Sequence, residues 1–137
     1  MNLITSDDNR LSAIQLNSMS SQTLAFVGDA VYSLLVREYL AKKFPERKNL
    51  HNMSVADVNC KAQSAAAEIL IPLLDEKELA VYKRGRNLHS VSSPKRADVV
   101  DYRRATGVEA LFGWLYLSGC EDRIKELFTA IEETMIQ

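Results

Sequence analysis

The sequence predicts an all-α fold, organised as one domain over residues 1–137. Apolar residues recur at helical spacings of three and four through most of the chain, whereas no segment shows sustained strand alternation. Helix-capping residues and helix breakers stand between the apolar stretches. The chain of 137 residues is 47% hydrophobic and 26% charged, a composition typical of a globular domain that buries a sizeable core.

The N-terminal part predicts a short helix followed by a long one. Leu11, Ile14 and Leu16 suit a short first helix. Ser20 or Ser21 then caps a helix that extends to about Lys43, before Phe44-Pro45. Apolar residues occupy nearly the whole circumference of this second helix, which is typical of a central helix buried on several sides.

A third helix is predicted to begin at a capping box formed by Ser54 and Asp57. It continues through an alanine-rich stretch to Leu70, and Pro72 closes it. This segment is therefore expected to be one helix.

Asp75 and Glu78 repeat the capping signature and open a short helix that reaches Lys83-Arg84. Gly85 is expected to end it in the left-handed conformation. Residues 86–97 have the composition of a loop. Two further helices are predicted, from about 97 or 98 to 117 and from about 122 to 135.

Composition excludes several classes of protein. A net charge of −1 argues against coating nucleic acid by bulk charge. Cys60 and Cys120 match no metal or redox spacing and are expected to be reduced thiols. The first 20 residues do not resemble a signal peptide, and the apolar runs are too short to cross a bilayer. We therefore expect a cytoplasmic location.

Two carboxylates occupy unusual places in the predicted helices. Asp29 lies in the middle of the most apolar helix, and Glu109 lies in the second long helix. Neither has a cation three or four residues away. Burying an unpaired carboxylate costs several kcal/mol unless a proton, a hydrogen bond or a metal compensates. Asp29 and Glu109 are therefore candidate catalytic and metal-binding residues.

Two interpretations of these acids are open. Each acid could meet an arginine or a backbone amide from another helix, or face solvent in a shallow groove. Alternatively, the two helices cross and both carboxylates bind a divalent cation, for which oxygen ligands suit Mg²⁺ or Mn²⁺. Small residues favour a close crossing, although they could equally serve packing alone. They are Ala25 and Gly28 on one helix and Thr106, Ala110 and Gly113 on the other.

A basic segment precedes the helix that carries Glu109. Residues 83–104 hold seven of the 17 basic residues against two aspartates, a local charge of about +5. The segment could be a solvated loop, or it could bind the phosphates of a nucleic acid. Because its only aromatic residue is Tyr102, a duplex backbone is favoured over stacked single-stranded bases. The candidate RNA-binding residues are Lys83, Arg84, Arg86, Asn87, His89, Lys95 and Arg96.

Two motifs resemble the ribonuclease III family. Residues 24–31, Leu-Ala-Phe-Val-Gly-Asp-Ala-Val, are similar to the signature of its endonuclease domain. Residues 108–117, which include Glu109, are similar to its second acidic helix. Residues 49–51, 61–63, 83–87 and 94–95 favour the short bacterial branch, the Mini-ribonucleases III. The resemblance covers most of the chain, from about Leu16 to Ile131.

The resemblance implies a fold and a function. The fold is a helical bundle like the ribonuclease III endonuclease domain, assembled as a homodimer. The activity is Mg²⁺-dependent cleavage of double-stranded RNA, with Mn²⁺ as a substitute metal, leaving 5′-phosphate and 3′-hydroxyl ends. The branch is associated with maturation of precursor 23S ribosomal RNA, and it has no separate double-stranded-RNA-binding domain.

The sequence departs from the family pattern at two positions. Full-length ribonuclease III carries a glutamate four residues before the signature aspartate, where this chain has Ala25. It also carries an aspartate three residues before the second glutamate, where this chain has Thr106. We therefore expect one firmly held cation per subunit.

Three functions remain to be compared. The first is a metal-dependent endoribonuclease. The second is a non-cleaving RNA-binding module on the same scaffold, against which the retained Asp29 and Glu109 argue, because acids near phosphates weaken an RNA clamp. The third is a helical protein-interaction domain, in which the basic segment has no role.

Overall fold

The computed structural model describes residues 11–88 and 99–133. Seven α-helices and one 3₁₀ turn lie in these ranges, and no strand does. None of these helices is long and apolar enough to cross a membrane. The helices are α1 (Ala13–Asn17), α2 (Ser21–Lys43), α3 (Leu50–Val58), α4 (Cys60–Leu70), α5 (Glu76–Arg86), α6 (Val99–Leu117) and α7 (Glu121–Glu132), with the 3₁₀ turn at Ile71–Leu73.

Helix α6 is the centre of the fold. Helices α2, α4 and α5 all pack against it, and it buries eight residues, among them Val108, Leu111 and Phe112 with no exposed surface. The Tyr32 ring of α2 meets the Phe112 ring edge to face at 5.4 Å, a favourable geometry for two aromatic rings. The fold therefore holds α2 and α6 side by side at its core.

Most of the predicted helix boundaries are confirmed. The Ser20 hydroxyl accepts from the backbone N–H of Thr23 and caps α2. Asp75 and Glu78 form the predicted capping box of α5. After α6, Gly119 adopts a φ of 76°, a left-handed conformation that glycine reaches without steric cost.

The prediction of a capping box at Ser54 and Asp57 was wrong. Ser54 lies inside α3 and donates to the carbonyl oxygen of His51 at 2.7 Å, and Asp57 is buried at the next-to-last position of the helix. The predicted single helix is two helices, separated at Asn59, whose side chain accepts from the N–H of Ala62 and caps α4.

Gly85 does not end α5, so this prediction was also wrong. The helix continues to Arg86, and Gly85 faces α6, where an added Cβ would lie 2.8 Å from the Cβ of Ala110 and 3.1 Å from the Cα of Gly107. The glycine serves a close helix contact instead of a turn.

Helix α2 is central but is not buried all round. Leu24, Tyr32 and Val36 are buried, whereas Phe26 is 80% exposed and Leu34 is 44% exposed. One face of the helix is thus open in the single chain.

Candidate active site

The site begins with a backbone-to-backbone contact between α2 and α6. A Cβ added at Gly28 would overlap the carbonyl oxygen of Glu109, and one added at Gly113 would overlap the carbonyl oxygen of Leu24. Only glycine permits this separation, since the obstructing atoms belong to the backbone. The close crossing predicted from small residues is confirmed at these two positions.

The crossing brings Asp29 and Glu109 together. Asp29 follows Gly28 on α2, and its carboxyl group lies close enough to that of Glu109 on α6 to raise the pKa of Glu109. Glu109 is half-buried, whereas Asp29 is exposed. Exposure to solvent was one of the alternatives left open for these acids, and Asp29 takes it because no helix of the described ranges covers this face of α2. The convergence of the two acids is present.

The environment of Glu109 disfavours its charge. Burial contributes most, and the hydrogen bond and negative charge of Asp29 act in the same direction. Together they raise the pKa of Glu109 to about 8, with Gln63 acting in the opposite direction. A cation beside the pair would favour the charged form of Glu109.

Gln63 is the residue of this site that the helical pattern did not single out. It lies on α4, is 3% exposed, and donates from Nε2 to the carbonyl oxygen of Val58 at 2.8 Å. Its amide also reaches Glu109 and lowers the pKa of that carboxyl. The only sequence signal for it was its place in the family-like stretch of residues 61–63.

Tyr32 and Asp57 line the interior beside the acid pair. Tyr32 is fully buried in α2, and burial raises the pKa of its hydroxyl, with smaller contributions from the charges of Asp57 and Glu109. No group of three or more potential ligands among histidine, cysteine, aspartate and glutamate occurs in the described ranges. The site thus offers two carboxylates instead of a full carboxylate cage.

The two positions where the family pattern carries acids have other roles. Ala25 is buried in the apolar cluster with Leu16 and Leu24. The Thr106 hydroxyl donates to the carbonyl oxygen of Tyr102 at 3.0 Å, one turn earlier in α6. Neither side chain adds a carboxylate ligand.

Four of the candidate RNA-binding residues lie at the end of α5. Lys83, Arg84 and Asn87 are exposed at the end of α5, and Arg86 is half-buried there. Arg86 and Asn87 line a cavity that includes neither Asp29 nor Glu109. His89, Lys95 and Arg96 lie outside the described residues.

Comparison with known proteins places the chain in a family. The Ribonuclease III domain family matches residues 22–119. The chain belongs to the ribonuclease III family. It is similar to "Mini-ribonuclease 3" of Brevibacillus brevis, with 50% identity over 81% of this chain and 84% of that protein. It is also similar to "Mini-ribonuclease 3" of Thermoanaerobacter sp., with 44% identity over 80% of this chain and 78% of that protein.

A crystal structure agrees with the ribonuclease III assignment. A protein from Fusobacterium nucleatum matches with a TM-score of 0.77 and 31% identity, over 88% of this chain and 97% of its own. The expectations of an all-α ribonuclease III fold and of an endoribonuclease are confirmed. Ribonucleases III act on double-stranded RNA, so the protein-interaction alternative fails.

Proposed function

We propose that this ribonuclease cleaves double-stranded RNA with a divalent cation, Mg²⁺ or Mn²⁺, held by Asp29 and Glu109. The observation that carries the proposal is the close backbone contact of α2 and α6, which places Asp29 and Glu109 beside each other. A scaffold that only bound RNA would be weakened by two carboxyl groups facing phosphates.

The residues fit a small hard cation. The pair supplies carboxylate oxygens, the ligands that Mg²⁺ prefers, and Mg²⁺ keeps several waters when one or two carboxylates bind it. Burial and the neighbouring Asp29 raise the pKa of Glu109, so a positive charge beside the pair would favour its charged form. A divalent cation held there would supply this charge, and its chemistry would be the activation of water and the neutralisation of phosphate charge. With two carboxylates in place, we propose one firmly held cation per subunit.

The protein side chains then have separate tasks. Asp29 and Glu109 would hold the cation, and the Gln63 amide favours the charged form of the Glu109 carboxyl, in opposition to burial. The basic side chains Lys83, Arg84, Arg86, Asn87, His89, Lys95 and Arg96 are proposed to hold the duplex by its phosphates. The expected products carry 5′-phosphate and 3′-hydroxyl ends.

We further propose that the active form is a homodimer and that precursor 23S ribosomal RNA is the substrate in the cytoplasm. The exposed Phe26 on α2 supports a dimer surface beside Asp29. The thiols of Cys60 and Cys120 are not joined in a disulfide, which fits a reducing compartment. The ribosomal substrate rests on the similarity to the Mini-ribonucleases.

Cleavage of a long RNA duplex in the presence of Mg²⁺ tests the proposal. Wild type is expected to cut, and Asp29→Asn and Glu109→Gln are each expected to lose at least a hundredfold in rate. Glu38→Gln is the matched control, because Glu38 is exposed on the same helix about 13 Å further along. A wild type that binds the duplex without cutting it, or an Asp29→Asn variant that cuts normally, would refute the assignment.

A further inference from the structure

A small basic cavity lies between the end of α5 and the start of the described part of α6. Its volume is about 290 Å³, near the lower end of the range for ligand sites. It therefore suits a small group. The residues that line it are Ile71, Tyr82, Arg86, Asn87, Val100, Arg103 and Arg104.

The Tyr82 hydroxyl is an unusual feature of this cavity. Tyr82 is 1% exposed, and its hydroxyl has no hydrogen-bond partner within the described ranges. A buried hydroxyl without a partner costs about 1 to 3 kcal/mol. The ring is held in place, since a Cβ at Gly107 would lie 2.7 Å from one of its carbons. Tyr82 therefore places a hydroxyl group where the surrounding described residues form no hydrogen bond with it.

Two arginine side chains, Arg86 and Arg104, line the cavity beside Tyr82. The guanidinium of Arg86 lies 5.9 Å from the centre of the Tyr82 ring. Arg104 is held by Glu68 of α4 through a 3.1 Å ion pair. The charges of both arginines lower the pKa of Tyr82, in opposition to burial.

The lining groups are suited to an anion. Three arginines, an asparagine amide and the tyrosine hydroxyl supply hydrogen-bond donors, and no carboxylate lines the cavity. Guanidinium groups bind phosphate through paired N–H donors. The occupant that satisfies these groups together is a phosphate group.

The position of the cavity indicates which phosphate of an RNA duplex it suits. Arg103 precedes Glu109 by six residues, about 9 Å along the α6 axis, and points about 120° away around the helix. This separation is too large for the phosphate that is cut. It suits another phosphate of the same duplex.

We propose that this cavity binds a phosphate of the RNA duplex, away from the scissile bond, with Tyr82, Arg86 and Arg103 as its donors. This inference rests on the proposed function for the origin of the phosphate. The phosphate site itself depends only on the described cavity.

Inorganic phosphate, added to the protein without RNA or metal, tests the site. Binding is followed by calorimetry at constant ionic strength. We expect wild type to bind, and Tyr82→Phe and Arg103→Gln each to weaken phosphate binding about tenfold or more. Lys77→Gln is the matched control, since it removes an exposed positive charge at the other end of α5.

The Tyr82→Phe variant separates a ligand role from a structural one. Because the hydroxyl lacks a partner, its removal is expected to leave the phosphate-free protein equally stable or more stable. A purely structural tyrosine would change stability and leave phosphate affinity intact. Unchanged phosphate affinity in Tyr82→Phe and Arg103→Gln would overturn the proposal.

Duplex binding tests the origin of the phosphate. In an Asp29→Asn background with EDTA, Arg103→Gln is expected to reduce the slope of log affinity against log salt by about one, and Lys77→Gln to leave it unchanged. Loss of phosphate affinity with an unchanged salt slope would overturn the RNA assignment. Failure of wild type to cut RNA would refute the proposed function and leave the phosphate measurement unaffected.

Discussion

The carboxyl groups of Asp29 and Glu109 lie beside each other where α2 and α6 cross, and the Asp29 carboxyl raises the pKa of Glu109. The pair exists because Gly28 and Gly113 let the two backbones touch. Two acids that repel each other when both are charged are thereby held side by side. The stability and the chemistry of the site consequently depend on the same crossing.

Gly28→Ala is expected to lower the free energy of unfolding by about 3 kcal/mol or more, at the upper end for overpacking of a core. The added Cβ would overlap the carbonyl oxygen of Glu109, and backbone cannot rotate away as a side chain does. Urea unfolding measures the change. Ala30→Ser, on the exposed face of the same helix, should change stability by less than about 0.5 kcal/mol; an equally small effect of Gly28→Ala would contradict the close crossing.

The ion pair between Glu78 and Arg123 predicts a pH-dependent stability. Glu78 is 3% exposed, and two guanidinium nitrogens of Arg123 approach its carboxylate at 2.8 Å. We expect Glu78→Gln to cost about 2 to 3 kcal/mol at pH 7, the range for hydrogen bonds to charged groups. Glu126→Gln, which removes a more exposed partner of the same arginine, should cost about 0.5 kcal/mol.

The sign of this pH dependence follows from the direction of the shift. The Arg123 hydrogen bond lowers the pKa of Glu78 below its ordinary value of 4.5. The stabilisation is therefore complete above the unfolded pKa and is lost as the pH falls through the lower folded pKa. Urea unfolding at pH 7, 5 and 3 should show the difference between wild type and Glu78→Gln shrinking below about pH 4.5. A difference that grows in acid would contradict this ion pair.

The sequence predicted the acid pair because both acids lacked local cations and small residues lay at matching positions on two helices. It left open whether Asp29 is exposed, because exposure depends on which helices cover the outer face of α2. Ser54 and Gly85 were assigned to helix ends for a similar reason. A serine can cap a helix or donate to a carbonyl oxygen earlier in the same helix. A glycine can end a helix or allow close contact with a neighbouring helix. Tertiary packing decides between these roles.

Gln63 is predicted to be a positioning residue for Glu109. Gln63→Leu removes the amide that reaches the carboxyl, so we expect half-maximal cleavage to require roughly ten to a hundred times more Mg²⁺, the usual range for an outer-shell partner. Ser64→Ala, the neighbouring buried position on α4, controls for local packing. If Gln63→Leu changed stability but left the Mg²⁺ requirement unaltered, its role would be structural.

Phe26 is predicted to lie in the dimer surface. It is 80% exposed on α2, three residues before Asp29. Phe26→Gln is expected to shift the dimer toward monomer in sedimentation equilibrium, by about tenfold or more in dissociation constant. Ile14 is 82% exposed on α1, so Ile14→Gln is a control of equal exposure. If both substitutions weakened the dimer equally, or if neither weakened it, the dimer surface would have to lie elsewhere.

Direct binding of Mn²⁺ tests the central claim that Asp29 and Glu109 hold the cation. Titration calorimetry without RNA compares wild type with Asp29→Asn, Glu109→Gln and the control Glu38→Gln. We expect about one cation per chain in wild type and Glu38→Gln, and at least a tenfold loss of affinity in each active-site variant. Binding of Mn²⁺ with wild-type affinity by both Asp29→Asn and Glu109→Gln would contradict the claim.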